Sequence, residues 1–439
     1  MALPVSFQDP EDYFDECFEF FIEYEYLYNF PNTHLLITDT LNRIDIDGLE
    51  DIDIFARNFD PFKCQLNDYL NNLIQKLGRL RNESSKFEED GNLDMYVEAP
   101  LGPKKKHEIM YLAKEIGAAC KDVGCETVID FGSGLGYLDQ QIFITNNFNV
   151  LGLECNENHY VAAKKRQRQY YLNSVDHVKY LKHTVTEDSN VKIEECIRDK
   201  FSKRQNFCMT GLHACADLTV DAVNLFLKME DARAIVIMPC CYHKILECRD
   251  GTFKNFPLSN CLKDVFDKYS GYKYLQKPFL RLAAQPPNIA EDNMEDLVFS
   301  LLARATLQVY ASRHNCLLKR KKRKAVRLKS KHNDFDAYAE DAVDNGFFLI
   351  RNSQDEHDNT EPVFDPSELS KIWRHISEVT FKKTAIFIFL QNLMQPVFEN
   401  FVLYDRLLYL KENGIEKCEI KRIVDECISP RCSALIAKK

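Results

Sequence analysis

From residue 9 to residue 30, apolar and aromatic side chains recur at helical spacing (Tyr13, Cys17, Phe20, Phe21, Tyr24, Tyr28), with acidic residues between them. A stripe of this period predicts an amphipathic helix. A second helical pattern, CQLNDYLNNLIQKLGRL, follows the turn at Pro61, so residues 1–100 read as a helical N-terminal module. The period changes after LGPKKKHEIMYLAKEIGAACKDVG, a basic helix opened by Pro103. From there short apolar runs (residues 128–131, then FNVLGLE, HVKYLKHTV, FCMTGLHA and ARAIVIMPC) alternate with helical stretches such as TVDAVNLFLKM. Such alternation predicts an α/β fold with a doubly wound, mostly parallel sheet. Residues 101–253 form the cofactor half of this core, and 254–380, where the alternation lapses, read as an insertion. Residues 381–439 return to the core with a long apolar helix and two strand-like pieces, CEIKRIVDE and CSALIAKK, which predict an antiparallel terminal hairpin.

Composition narrows the setting. The chain has 439 residues, 45% of them hydrophobic, and a net charge of −10. That is enough apolar material for large cores. The acidic N-terminus MALPVSFQDPEDYFDE lacks the basic-then-apolar pattern of a signal peptide, and the sixteen cysteines read as reduced, so a cytoplasmic or nuclear location is expected. The apolar stretch TAIFIFLQNLMQPVFENFVLY is broken by Gln391, Asn392, Gln395, Pro396, Glu399 and Asn400, and no membrane span is expected from it. Against the acidic average, residues 319–331 hold nine lysines and arginines in thirteen positions, Lys321, Lys322 and Arg323 among them. Such a block is expected to contact RNA phosphates, or to serve as a nuclear localisation signal.

Chemistry concentrates at the predicted strand ends. DFGSGLG places Asp130 before Gly132, Ser133, Gly134 and Gly136 between a strand and a helix, where backbone N–H groups can approach a ligand. Glu154 ends the next strand, where a carboxylate can take hydrogen bonds from ribose hydroxyls. The third glycine comes one place too early for the nicotinamide fingerprint, and no Walker lysine follows. The spacing suits S-adenosylmethionine. HACAD ends one strand with His213, Cys215 and Asp217, and CCYH ends the next with Cys240, Cys241 and His243. Neighbouring strand ends would set the two motifs face to face beside the donor. His243 or His213, with Asp217 orienting, is suited to accept a proton from an attacking hydroxyl or amide, and Cys241 is a candidate for adding to a substrate ring. Packing of the cysteines as small hydrophobes is the alternative. The spacing is not Cys-x-x-Cys and adjacent cysteines rarely share an ion, so no metal is expected. Lys105 and His107, on the helix leading into the first strand, are candidates for substrate contact.

Five segments, PKKKHE, DFGSGLGYL, GLHACADL, PCCYHK and SPRCSAL, run in order from about residue 100 onward. Together they resemble the methyltransferase-like protein 25 family, whose relatives carry the label ribosomal RNA adenine dimethylase domain-containing. The resemblance implies a class I S-adenosylmethionine-dependent methyltransferase. Through the Cys-Cys and His signature there is a more distant likeness to tRNA ribose 2′-O-methyltransferases, so RNA is the expected substrate, with protein methylation or a catalytically inactive cofactor-binding scaffold as alternatives. Adenine amino-methylating enzymes carry an Asn or Asp, two prolines and an aromatic where this chain has HACADL, so that reaction is not expected here.

Overall fold

A computed structural model describes residues 3–49, 66–82, 87–91, 93, 94, 96, 101–201, 206–286, 294–321, 334–351 and 362–439. Among these residues nine strands run in chain order: β1 Thr127–Phe131, β2 Asn149–Glu154, β3 Val178–Lys182, β4 Phe207–Cys215, β5 Ala232–Cys240, β6 Cys316–Arg320, β7 Phe347–Arg351, β8 Lys417–Arg422 and β9 Ser433–Lys438. Seven form one sheet in the order β3-β2-β1-β4-β5-β9-β8. β1 to β5 are parallel, and β9 runs antiparallel between β5 and β8. The sheet is mostly parallel, as expected, and closed by the expected antiparallel hairpin.

The local sequence explains the elements. β1 is buried throughout and all of β5 except Arg233 is buried, as strands covered on both faces must be. The helix Pro103–Val123 starts with proline and ends at Gly124, whose φ of 68° suits a left-handed cap. Its apolar side, with Leu112 and Ile116, joins Val128, Ile142, Val150, Val236 and Ile436 in one core.

By internal contacts the chain divides into two units. One contains Met1–Ile22, Arg79–Asn288 and Gln395–Lys439, and the other Glu23–Gly78 and Ile289–Met394. The first hundred residues are thus shared between the units. The N-terminal helix, Pro10–Glu23, stops seven residues short of the periodicity, and Tyr26 beyond it bonds instead to Tyr69 (2.8 Å between hydroxyls). In the first unit Phe14 and Phe21 pack edge-on against Phe401. Here two polar residues of the long helix Glu378–Glu412 find partners: Asn400 donates to Tyr13 Oη, and Asp405 accepts from Leu258 N, Ser259 N and Ser259 Oγ. That helix is long and apolar enough to cross a membrane, and 72% of its most apolar stretch is buried inside the protein.

The second unit holds the helices Met294–Arg313 and Pro366–Arg374 and the β6–β7 hairpin around Phe299, Leu307, Phe335 and Leu369. The sequence reading missed this hairpin, because β6, CLLKR, runs straight into the basic block and carries its charge. Trp373, the chain's one tryptophan, stacks on Phe335 at 4.5 Å.

Candidate active site

The loop after β1 is tied to the end of β2. Gly132 N and Ser133 N both donate to Leu153 O (2.9 and 3.0 Å), and Gly134 N donates to Glu154 Oε2 at 2.8 Å. Glu154 Oε1 accepts from Asn156 N at 2.7 Å, so the largely buried carboxylate knits the two strand ends. Gly132, Gly134 and Gly136 have φ of 77°, 59° and 75°, values that strain ordinary side chains. At Gly136 space is also decisive, since a Cβ there would lie 2.2 Å from Tyr180 Oη.

Beneath the loop is a buried polar cluster. Asp130 Oδ1, Ser133 Oγ and both oxygens of Asp139 are buried without a donor among the described residues. Burial pushes both carboxyls above the usual range, and for Asp139 the neighbouring Asp130 charge pushes further. Lys105 lies near Asp130, Glu108 and Cys240, and burial lowers its ammonium below the ordinary lysine value. Unsatisfied oxygens, a side-chain-free loop and an acid at the end of β2 fit a ligand that brings an ammonium group and ribose hydroxyls.

β4 and β5 are neighbours, as expected, with Cys215 paired to Cys240 in register and an irregularity between Gly211 and Ala214. The irregularity puts His213 at φ 59°. Its Nε2 meets Glu108 Oε2 at 3.1 Å, and Ser429 Oγ donates to Glu108 Oε1 at 2.7 Å. Burial alone would raise Glu108, but the His213 hydrogen bond and charge, with Ser429, bring it below the ordinary carboxylate value. The Sγ atoms of Cys215 and Cys240 are 3.0 Å apart, and with Cys241 all three lie within 4.8 Å. Hydrogen bonds from Cys215 and Cys240 lower the Cys241 thiol, whereas Cys240 is raised by its bonds to Cys215 and Cys241. Cys241 (φ 51°) and Ala216 (φ 53°) both have left-handed φ.

Not every expected residue joins this group. Asp217 orients neither histidine: Oδ2 accepts from Leu246 N at 3.0 Å and Oδ1 from Asn255 Nδ2 at 2.7 Å, which pins the segment after β5. The carboxylate partner of His213 is Glu108, which sequence reading passed over. Its only signal was an acidic position on the buried face of the Pro103–Val123 helix. His243 lies two residues after Cys241 in a short turn, with Nδ1 buried and without a partner among the described residues, and burial lowers its pKa. His107 packs with Phe87 and Tyr111, and its Nε2 accepts from Asp425 N at 3.1 Å, which directs it to the C-terminal strands and not to the donor loop. Lys321 Nζ donates to Val343 O and Asp344 O within the second unit, and Lys322 and Arg323 lie outside the described residues.

Residues 104–248 match the family described as methyltransferase domain. Probable methyltransferase-like protein 25 of Mus musculus is 24% identical over 290 residues, and its Homo sapiens counterpart 26% over 294. Each match covers 63% of this chain and 43% of the relative, so the chain matches less than half the length of either. Among solved structures, a SAM-bound magnesium protoporphyrin IX methyltransferase from Synechocystis is 12% identical, with a TM-score of 0.22 over 33% of this chain and 65% of that one. An SAH-bound Podospora anserina methyltransferase is 9% identical, with a TM-score of 0.23 over 40% and 71%.

Proposed function

We propose that this chain, which carries a class I methyltransferase domain and belongs with the relatives of methyltransferase-like protein 25, transfers a methyl group from S-adenosylmethionine to RNA. The observation that carries the transfer is the junction of β1 and β2, where three left-handed glycines and the Gly134–Glu154 bond leave a backbone cradle beside a buried acid. The bound donor supplies an electrophilic methyl on a sulfonium. Glu154 is suited to take the ribose hydroxyls, and Asp130 and Ser133 offer unsatisfied oxygens to the amino-acid end. Glu108 accepts from His213 Nε2, which leaves Nδ1 as the nitrogen able to take a proton from an attacking hydroxyl or amide. An RNA acceptor is supported by the basic run 319–331, whose nine cations could neutralise several phosphates.

Incubation of the purified protein with methyl-labelled donor and total RNA tests the reading. Ribonuclease-sensitive label is expected. Label that survives ribonuclease and is lost to protease would replace RNA with protein, and no label in either fraction would leave a cofactor-binding scaffold.

A further inference from the structure

We infer that Cys215, Cys240 and Cys241 bind one soft divalent cation, zinc fitting best, at the carboxyl ends of β4 and β5. Three thiol sulfurs from two adjacent strand ends lie within 4.8 Å of one another. A tetrahedral zinc with bonds of about 2.3 Å holds its sulfurs about 3.8 Å apart, so small side-chain shifts suffice. The sequence reading expected no metal because adjacent cysteines rarely share an ion, and on a regular strand two neighbours point to opposite faces. Cys241 removes it by turning into the left-handed region (φ 51°, ψ 42°), and its sulfur comes round to those of Cys215 and Cys240.

The two strand ends are held together for this. Cys215 is in register with Cys240, and Ala216 N donates to Cys240 O at 3.0 Å. Left-handed φ at Ala216 and Cys241 costs on the order of 1–3 kcal/mol each, and such conformations persist where the surroundings over-determine them. These thiols also differ from cysteines that only pack. Cys120 and Cys208 are fully buried in the core, whereas Cys215 and Cys241 are only partly buried. Three thiolates around a divalent ion carry one net negative charge, and Lys244 near Cys215 and Cys241 and Lys105 near Cys240 face it with positive charge. Binding releases the three thiol protons to solvent, and the fourth coordination position is left to water or another exchangeable ligand.

The test uses the full chain, reduced and freed of metal. One equivalent of cobalt(II) should bring up thiolate-to-metal charge-transfer absorption in the near ultraviolet, and zinc should displace it. Cys241→Ser should lose most of that absorption, whereas Cys248→Ser, at an exposed position, should keep it. A second measurement needs no variant: zinc should slow iodoacetamide labelling of Cys215 and Cys241, mapped by mass spectrometry, and leave the exposed Cys155 and Cys427 labelling at the same rate. Absent absorption, absorption unchanged in Cys241→Ser, or equal labelling of Cys215 and Cys241 with and without zinc would each overturn the site.

Discussion

His213 Nε2 and Glu108 Oε2 stand 3.1 Å apart although 105 residues separate them in the chain, and Glu108 is 1% exposed. The buried carboxylate takes hydrogen bonds from His213 and Ser429, so neutralising it should weaken both the fold and the imidazole's orientation. Glu108→Gln is expected to lower stability by about 1.5–3 kcal/mol at pH 7, read by urea unfolding. The Glu108 carboxyl is held below its ordinary value, so its contribution is complete above the unfolded glutamate pKa of about 4.3 and is lost as pH falls through the folded value. The gap between wild type and variant should therefore close in acid. An equal gap at pH 7 and pH 3 would show that the charge is not the source.

Two glycines of the donor loop should respond differently to alanine. A Cβ at Gly136 meets Tyr180 Oη at 2.2 Å and strains the backbone, whereas one at Gly134 has nothing nearer than 3.9 Å and meets only the backbone strain. Gly136→Ala should abolish S-adenosylmethionine binding, and Gly134→Ala should weaken it about tenfold, for a strain of about 1–2 kcal/mol. Calorimetric titration gives the order, and equal affinities in the two variants would contradict the crowding at Tyr180.

Asp139 sits with Asp130 in a site that raises both carboxyls, so the folded state holds a proton more tightly than the unfolded chain. Stability then falls as pH rises from the unfolded aspartate value of about 3.9 through the raised folded value. Asp139→Asn removes the ionising group at nearly constant shape. It should gain on the order of 1 kcal/mol over wild type at pH 8 and nothing at pH 4, by thermal unfolding. Loss of stability at both pH values would mean that the pair is stabilising as ions.

Asp217 holds Leu246 N and Asn255 Nδ2, so its removal should loosen the segment after β5 before it touches any chemistry. Asp217→Ala is expected to speed limited proteolysis between residues 244 and 256 severalfold, with S-adenosylmethionine affinity unchanged. Wild-type cleavage rates in the variant would show that the segment is held by other contacts.

Much of this was legible in the sequence, because the signals were local. The strands from β1 to β5, the glycine loop with Glu154, and the adjacency of HACAD and CCYH all follow from period and strand order. What stayed hidden depends on contacts across long stretches of chain. Glu108 meets His213 only after the sheet forms, and Asp217 turns away because Asn255 and Leu246 offer it donors. The left-handed turn at Cys241 has no glycine to announce it, and β6 was obscured by the lysines that follow it.

The place of β9 bears on how the molecule assembles. Val236 of β5 pairs with Ile436 of β9, 200 residues later, and β8 joins the sheet only through β9. A ribosome therefore delivers β5 long before its neighbour exists, and the open edge must wait with its hydrogen-bonding groups unpaired. Such distant pairing makes folding slow and leaves the nascent chain prone to edge-to-edge association. The donor loop at the junction of β1 and β2 is tied to β2 and meets Tyr180 of β3, all made before β5. It can take shape early, while the β5 edge beside the cysteine trio is sealed among the last steps of folding.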